Sequence, residues 1–280
     1  MKILPFQIPK PGSLALIYQE DKGELFYDKY HQHSEIQISY IVSGEGTMII
    51  GDTVSPYKEG DIIVIGGGLP HVLKTDSAYG KPSFMQSLFF NMDSFGSDFF
   101  NLEEMKSLKS FFKKSENGFK AMSNLTGIRS QFGLLPTASQ FERFVLLLKI
   151  LNMLSRSRYQ TLSGFIPKGR LSNDDGNRIS DVMSYSIEHF REHISLGQVS
   201  EVASMSKNAF CRYFKKRTNK TYIQFLNELR VEQASKLLLS RPDLTIAEIA
   251  EQCGFQNISN FNRQFKGIKN MTPSQTQKIS

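Results

Sequence analysis

The stretch 255–272 reads Phe-Gln-Asn-Ile-Ser-Asn-Phe-Asn-Arg-Gln-Phe-Lys-Gly-Ile-Lys-Asn-Met-Thr and contains the pattern Phe-x-Arg-x-Phe-Lys at 261–266. The same pattern occurs 51 residues earlier, at 210–215. The offset of 51 also relates Asn219 to Asn270, whereas matching residues upstream of the pattern are 50 apart. The last third of the chain is therefore a two-copy repeat with a one-residue slip inside it.

Each copy has the pattern of a helix, a tight turn and a second helix. In the second copy, Thr245 and Glu248 have the spacing of a capping box at a helix start. Gly254 then supplies a residue that tolerates the left-handed conformation at the helix end. The second helix, predicted over 258–266, has two phenylalanines four residues apart on its inner face and a polar, cationic outer face.

The segment from about 178 to 275 resembles the DNA-binding domain of AraC-type transcription regulators, in which one linking helix carries two helix-turn-helix units. The resemblance is carried by Ile246-Ala247-Glu248-Ile249-Ala250, Gly254-Phe255, Phe261-x-Arg263-x-Phe265-Lys266 and Thr272-Pro273, and in the first unit by Phe210-x-Arg212-x-Phe214-Lys215 and Asn227-Glu228-Leu229-Arg230. The chain departs from the family where Ser204, Asn219 and Asn270 replace glycine, and where Gln275 and Thr276 replace the usual Tyr-Arg.

The resemblance implies which side chains contact bases. These positions lie on the front of the two predicted recognition helices, at Asn208, Arg212, Ser259, Asn260 and Arg263. Arg can pair bidentately with guanine and Asn with adenine in the major groove. Cys211 stands where a longer polar residue is common, so we expect the first unit to contact fewer bases.

Basic and hydroxyl side chains that suit phosphates flank these helices. The predicted phosphate contacts are Ser206, Lys207, Lys215, Lys216, Lys266 and Lys269, with Arg217 and Lys220 beside them. Residues 176–280 have 15 Lys and Arg against 9 Asp and Glu, whereas residues 1–175 have 19 against 18. Most of the net charge of +7 therefore lies on the repeat half, which points to the DNA backbone as a partner.

A connecting helix is predicted over 222–239. At about 1.5 Å per residue it spans roughly 27 Å. With the offsets at each end, this length brings the two recognition helices near one DNA turn, about 34 Å. Arg230 matches the arginine of the family's linking helix, and we expect it to form a structural ion pair.

The length of 280 residues favours two domains over one. The chain has no apolar run of about 18 residues and no apolar signal segment near its start, so we expect no membrane contact and a cytoplasmic location. Cys211 and Cys253 lack a metal or redox spacing. We expect both to be small packing residues in a reducing compartment.

From about residue 14 to residue 90 the chain alternates short β-rich segments with glycine-containing turns, a pattern typical of a barrel or sandwich. We therefore predict an α+β chain of two domains. Residues 1–160 form a cupin-like β-barrel with following helices, 161–177 form a linker rich in glycine and proline, and 178–280 form the all-α domain of two helix-turn-helix units.

Histidines in this half indicate a ligand site. His31 and His33 lie two residues apart, on one face of a predicted strand. The half resembles a cupin, whose first motif meets His31, His33, Gln37 and Gly44, and whose second meets Gly60, Gly66, Gly68 and His71. Gln37 replaces the motif's carboxylate and Gly66 its proline. The resemblance implies an effector pocket at His31, His33, Gln37 and His71.

A divalent metal on His31, His33 and His71 is an alternative use of the same residues. In regulators of this kind the cupin serves as a ligand-binding and pairing domain, so we expect no cofactor, no catalytic residue and no enzyme activity. The alternative function is a metal-dependent cupin enzyme with a basic helical appendage, and Gln37 counts against it. A third candidate is an architectural DNA-binding protein without a ligand.

The leading prediction is a sequence-specific DNA-binding transcription regulator whose N-terminal domain senses a small molecule. Its expected partners are a double-stranded DNA operator, a small-molecule effector, a second copy of the chain and RNA polymerase. The helix predicted over 139–155 has a wide apolar face, which must be covered. Either part of that face packs on the barrel and the rest pairs with a second copy, in which case Lys at Leu147 and Leu151 would give monomers, or the whole face packs in the domain's own core.

Overall fold

The chain divides at residues 173 and 174 into two units, Met1–Asn173 and Asp174–Ser280. A computed structural model describes residues 14–76, 82–164 and 172–278. Among these residues, no helix is both long enough and apolar enough to cross a membrane. The two-unit α+β architecture predicted from the sequence is confirmed.

The N-terminal unit is built on two antiparallel sheets. The strands are β1 (Ile17–Gly23), β2 (Ile36–Ser43), β3 (Gly46–Ile50), β4 (Thr53–Tyr57), β5 (Ile62–Ile65), β6 (His71–Thr75), β7 (Ser83–Phe90), β8 (Phe119–Ala121) and β9 (Tyr159–Thr161). The larger sheet has the order β1-β7-β2-β5-β8-β9, and the smaller has the order β4-β3-β6. In β2 and β5, consecutive side chains therefore face opposite sides of the larger sheet.

Each face of the larger sheet buries a separate apolar cluster. On one side, Ile41 of β2 and Ile63 of β5 pack with Met48 and Ile50 of the smaller sheet, filling the space between the sheets. On the other side, residues such as Ile38 pack against the helices α1 (Lys109–Ser115), α2 (Leu125–Leu134) and α3 (Gln140–Ser155). Two short 3₁₀ segments, Phe99–Asn101 and Glu103–Leu108, precede α1.

Helix α3 begins as the sequence predicts, with Ser139 and Glu142 forming a capping box. Its apolar stripe, however, lies mostly inside the unit, because Leu147 and Leu151 are 0% exposed and belong to the cluster beneath the larger sheet. Phe141, at the start of the helix, is instead 75% exposed. Leu147 and Leu151 therefore pack in the core of their own unit, so Lys at either position would disrupt folding.

The C-terminal unit is entirely helical in its described part. Its helices are α4 (Asn173–His189), α5 (Leu196–Val202), α6 (Lys207–Thr218), α7 (Tyr222–Ser240), α8 (Ile246–Gln252), α9 (Ile258–Lys269) and α10 (Pro273–Gln277). Helix α4 begins five residues before the predicted start at 178, so the segment predicted as linker, 161–177, ends in helix. Residues 165–171 of that segment lie outside the described residues.

The repeat in the sequence corresponds to a repeat in the structure. The bounds of α5 and α8 differ by 50 residues and those of α6 and α9 by 51, so the one-residue slip lies in the turn between the paired helices. Asn219 and Asn270 end α6 and α9 with φ angles of 55° and 57°. These are the left-handed positions at which the sequence predicts that Asn can stand in for Gly.

The two turns place different residues in the left-handed conformation. Ser204 does so in the first unit with φ 52°, and Gly254 does so in the second with φ 82°. A Cβ on Gly254 would lie 2.5 Å from the Phe190 carbonyl oxygen and 2.9 Å from that of Arg191. The second turn therefore needs glycine for space as well as for conformation.

Candidate functional site

The outer face of α9 carries three of the predicted base-contacting residues. Asn257 caps the helix, and its Oδ1 accepts from the backbone N–H groups of Ser259 (2.8 Å) and Asn260 (3.1 Å). Ser259 and Arg263 are exposed, whereas Asn260 is half-buried. Arg263 donates from Nη2 to Asn260 Oδ1 at 2.9 Å, so two of the predicted base-contacting side chains contact each other.

The inner face of α9 holds it against the rest of the unit. Phe261 and Phe265 are 0% exposed and pack with Ile249 of α8 and Val231 of α7. In this arrangement the helix backbone is fixed by apolar contacts while its outer face remains open. The sequence predicts both faces correctly.

Helix α6 repeats this design with different side chains. Ser206 caps it by accepting from the backbone N–H of Ala209 at 3.4 Å. Asn208, Cys211 and Arg212 are exposed on its outer face. Ala209 occupies the position that Asn260 has in α9. Arg212 has Asn208 four residues before it, but among the described residues it does not donate to an amide as Arg263 does.

Four of the predicted phosphate contacts have side chains directed outward. Lys207, Lys215, Lys216 and Lys266 are exposed, and none forms an ion pair with another described residue. Three of these lysines lie on α6 and one on α9. The first unit therefore presents the denser positive surface.

Three other basic residues of the predicted phosphate surface are engaged inside the unit. Lys269 donates to Glu232 at 2.5 Å, and Lys220 donates to Glu228 at 2.6 Å. Arg217 donates to the Asp175 carboxylate at 2.5 Å. Each of these cations already has a carboxylate partner, so we remove all three from the proposed phosphate contacts.

Arg230 departs from its prediction as well. Instead of an ion pair, it donates from Nε to the Phe190 carbonyl oxygen at 2.8 Å and from Nη2 to that of Glu192 at 2.7 Å. Its guanidinium also lies over the Phe255 ring, 5.8 Å from the centroid. Burial lowers the pKa of Arg230 from its ordinary value. Arg230 thus joins the end of α4 to the second turn.

In the N-terminal unit, the three predicted histidines lie together. His31 and His71 form a β-bridge, and one ring nitrogen from each of His31, His33 and His71 lies within 4.8 Å of the others. The three Nδ1 atoms are 2.8, 2.9 and 2.8 Å from the backbone carbonyl oxygens of Lys29, Glu35 and Leu69. Because a carbonyl oxygen only accepts, each Nδ1 carries a proton, and the lone pair of each neutral ring is on Nε2.

Gln37 belongs to the same cluster. Its Oε1 lies 3.0 Å from His33 Nε2, while its amide nitrogen donates to Ser39 Oγ at 2.8 Å. The Gln37 side-chain amide therefore bridges the His33 ring and the Ser39 hydroxyl. Glu35 lies on the other side of the ring, with Oε2 3.8 Å from His33 Nδ1, so it does not replace the motif's carboxylate.

Comparison with known proteins adds to this geometry. A family model described as a helix-turn-helix domain matches residues 199–279, and one described as a cupin domain matches residues 19–78. The first match covers both repeat units, and the second covers the histidine cluster. The C-terminal unit is thus similar to known helix-turn-helix domains, and part of the N-terminal unit is similar to known cupin domains.

The relatives of this chain include regulators described as uncharacterized HTH-type transcriptional regulators. The HTH-type transcriptional regulator YdeC of Bacillus subtilis is 32% identical over 104 residues, which are 37% of this chain and 35% of that protein. An HTH-type transcriptional regulator of Staphylococcus aureus strain COL is 25% identical over 246 residues, 86% of this chain and 31% of that protein. The chain thus spans about a third of the length of these curated relatives.

One similar solved structure is the C-terminal domain of AraT, a response regulator from Geobacillus stearothermophilus. It is 29% identical to this chain, with a TM-score of 0.35, and the match covers 40% of this chain and 89% of that one.

The sequence patterns do not predict the acidic residues that pair with basic side chains of the C-terminal unit. Glu228 enters only as part of a motif, and Glu232 and Asp175 have no predicted role. Nothing in the local sequence marks them, because their partners Lys269 and Arg217 lie 37 and 42 residues away along the chain. Glu228 and Glu232 are four residues apart on α7, and this spacing indicates that the two carboxylates lie on the same face of the helix.

Proposed function

We propose that the protein is a sequence-specific DNA-binding transcription regulator whose N-terminal unit senses a small ligand. The observation that carries the proposal is the pair of recognition helices α6 and α9. Both have an exposed outer face with an arginine at the same repeat position, and both pack on one connecting helix. We assign base contacts to Asn208, Arg212, Ser259, Asn260 and Arg263, and phosphate contacts to Ser206, Lys207, Lys215, Lys216 and Lys266.

The length of α7 supports simultaneous binding by both helices. Its 19 residues span about 28 Å. With the offset of each recognition helix, this length approaches the distance of about 34 Å between successive major-groove faces of one DNA turn. We therefore propose two half-sites per chain on one side of the duplex. This function requires contact with chromosomal DNA, so we place the protein in the cytoplasm and assign it no enzymatic reaction.

The test of DNA binding uses the full chain and a random-sequence duplex library. Repeated selection should enrich sequences with two motifs about one helical turn apart, and binding should weaken steeply as salt rises. Each neutralised phosphate adds about 0.9 to the slope of log affinity against log salt. Failure to enrich any sequence at low salt would contradict the proposal.

The ligand of the N-terminal unit belongs at the histidine cluster in this proposal. The space between the two sheets is occupied by apolar side chains such as Ile41, Met48 and Ile63, so a ligand at the cluster must be small. The donor set also favours a second candidate, a divalent cation held by His31, His33 and His71 with the Gln37 oxygen beside it. The carbonyls bonded to the three Nδ1 atoms would fix the ring orientations, as such partners do in metal sites.

A bound cation would supply a Lewis acid at this point, and the neighbouring side chains restrict the chemistry that it could assist. Gln37 neither gives nor takes a proton, so it cannot serve as the acid–base group that a carboxylate would provide. Elemental analysis of the purified protein separates the two candidates. Stoichiometric iron, zinc or manganese that is lost in a His31→Ala, His71→Ala double variant would establish the cation, whereas a metal-free protein that responds to an organic ligand would exclude it.

We also propose that a second copy pairs through the exposed end of the α2–α3 hairpin. Phe141 is 75% exposed and Leu134 is 53% exposed, and these two residues flank the short connection between the helices. Lys at both positions should give monomers on sedimentation without loss of folding. The matched control is Met92→Lys, at a residue 50% exposed in the same unit, which should leave the oligomeric state unchanged.

A further inference from the structure

Three charged side chains along one stretch of α7 hold three different elements of the C-terminal unit. Glu228 accepts from Lys220, which follows the C-cap of the first recognition helix. Arg230 donates to the backbone carbonyls at the end of α4. Glu232 accepts from Lys269, the last residue of the second recognition helix. The connecting helix is therefore joined to both recognition units by ion pairs one helical turn apart.

The pair on the second unit is the more buried of the two. Glu232 is 4% exposed, so its carboxylate depends on Lys269 for compensation of its charge. The side chains of Lys220 and Glu228 are 21% and 22% exposed, which leaves that pair more open to water and weaker. The geometry of α9 on α7 is therefore constrained more tightly by charge than that of α6.

We infer that Glu232, and to a lesser degree Glu228, are positioning residues that set the separation of the two recognition helices and hence the half-site spacing that the protein accepts. The inference rests on the proposed function, because spacing matters only if both helices enter DNA. Phe261 and Phe265 keep α9 in contact with its neighbours, but apolar contacts alone permit rotation of the helix about that contact. The Lys269 pair fixes the C-terminal end and removes this freedom.

Helix α9 is long enough for a small rotation to move its base-contacting end by several ångströms. Helix α9 has 12 residues and is about 18 Å long. A rotation of about 20° about the Phe261–Phe265 contact would move its N-terminal, base-contacting end, about 9 Å away, by about 3 Å, by the same helix geometry. That displacement approaches the 3.4 Å rise of one base pair along a strand. Loss of the anchor would therefore allow half-sites one base pair closer or farther apart.

The first arm of the test measures the separation directly, without DNA. Cys211 is exposed on α6, and Ile258, the first residue of α9, is 43% exposed and lies at the end of the helix that the rotation would move. The full chain with Ile258→Cys carries spin labels at these two sites, diluted with unlabelled protein so that only distances within one chain are recorded. Cys253 should remain unlabelled, because it is buried and burial raises its pKa to about 12.

We expect a single narrow distance distribution for the parent and a broader one, wider by about 3 Å, for Glu232→Gln. Glu228→Gln should broaden it less, and Lys269→Arg, which keeps the charge, should leave it narrow. Glu251→Gln changes an exposed carboxylate on α8 and is the matched control, with no change expected. Thermal unfolding confirms that each variant is folded, and Glu228→Gln carries the test if Glu232→Gln does not fold.

The second arm repeats the selection from the random duplex library. Glu232→Gln should enrich the same two motifs at more than one spacing, where the parent enriches one spacing. A distance distribution identical to the parent in folded Glu232→Gln and Glu228→Gln would overturn the inference. A parent protein that enriches no sequence would instead overturn the proposed function, while the distance measurement would still decide whether the anchors position the helices.

Discussion

In α9, Arg263 donates to Asn260 one helical turn away, whereas in α6 the corresponding Arg212 lies beside Ala209. A guanidinium held by an amide has fewer conformations to lose when it binds a base. Cys211 adds little to the α6 face, while its counterpart in α9 is Asn262. Under the proposed function, we therefore expect the second unit to make the more specific base contacts.

Helix α6 carries more of the exposed lysines than α9 does. Two lysines of α6, Lys207 and Lys216, correspond to Ile258 and Gly267 in α9, and only Lys215 has a basic counterpart. Phosphate contacts fix position without sequence choice, so the first unit is suited to holding the backbone. Under the proposed function, we expect the first copy of the motif to contribute more to affinity and the second more to base choice.

The largest expected difference between the two units is in how substitutions in their turns change the free energy of unfolding. Gly254→Ala would place a Cβ 2.5 Å from a backbone carbonyl oxygen in a left-handed conformation, so we expect the free energy of unfolding of the C-terminal unit to fall by at least about 2 kcal/mol. Ser204→Gly relieves the left-handed strain in the first turn and should raise it by at most about 1 kcal/mol. Chemical denaturation of the full chain measures both. Equal effects at the two turns would contradict this difference.

The recognition arginines test base choice. Arg263→Ala should cost about 1–3 kcal/mol of binding free energy on the selected sequence and relax the choice at one base pair. Arg212→Ala should cost less on the selected sequence, because Arg212 is not held by a hydrogen bond to a neighbouring amide as Arg263 is. Competition between the selected sequence and random duplex measures both. If Arg263→Ala weakens both duplexes equally, that arginine contacts only phosphate.

The exposed lysines test affinity. Lys215→Ala and Lys266→Ala should each weaken all sequences by a similar factor and flatten the log–log salt slope by about one unit. Lys269→Ala should leave the salt slope nearly unchanged, because Lys269 is paired with Glu232. A salt titration on random duplex separates the two classes. A Lys269→Ala slope as flat as that of Lys266→Ala would return Lys269 to the phosphate contacts.

The smallest expected effect comes from transferring the amide to the first unit. Ala209→Asn would place an amide three residues before Arg212, and such helical pairs contribute about 0.2–0.5 kcal/mol. The variant should therefore sharpen the discrimination of the first unit by a factor of about two. The same competition assay measures it, with Ala209→Ser as the control that adds polarity without the amide's reach.

Much of this arrangement can be predicted from local sequence. The repeat, the helix caps at Ser139 and Thr245 and the left-handed Asn219 and Asn270 are set by residues close to one another along the chain, so spacing alone predicts them. The same spacing could not separate a core face from an exposed face of α3, because both are apolar.

Local spacing does not predict which side chains or carbonyls meet across long separations along the chain. The sequence predicts a carboxylate partner for Arg230, but this side chain binds carbonyls 38 and 40 residues away, which only the packing of α4 against α7 brings near. Lys269 is predicted at phosphate for its position beside the recognition helix, and local spacing does not reveal the buried Glu232 as its partner. Sequence therefore predicts which groups are present at the site more reliably than which groups they contact.

The expected difference in base choice between the two units is tested most directly by comparing the sequences that the parent and Arg263→Ala select from one random duplex library. We expect two motifs about one helical turn, roughly 10.5 base pairs, apart for the parent, with the stronger base preference in one of them. Arg263→Ala should relax the preference at one base pair of that stronger motif and leave the weaker motif unchanged. Loss of preference in the weaker motif instead, or equal preference in both motifs of the parent, would contradict this expectation.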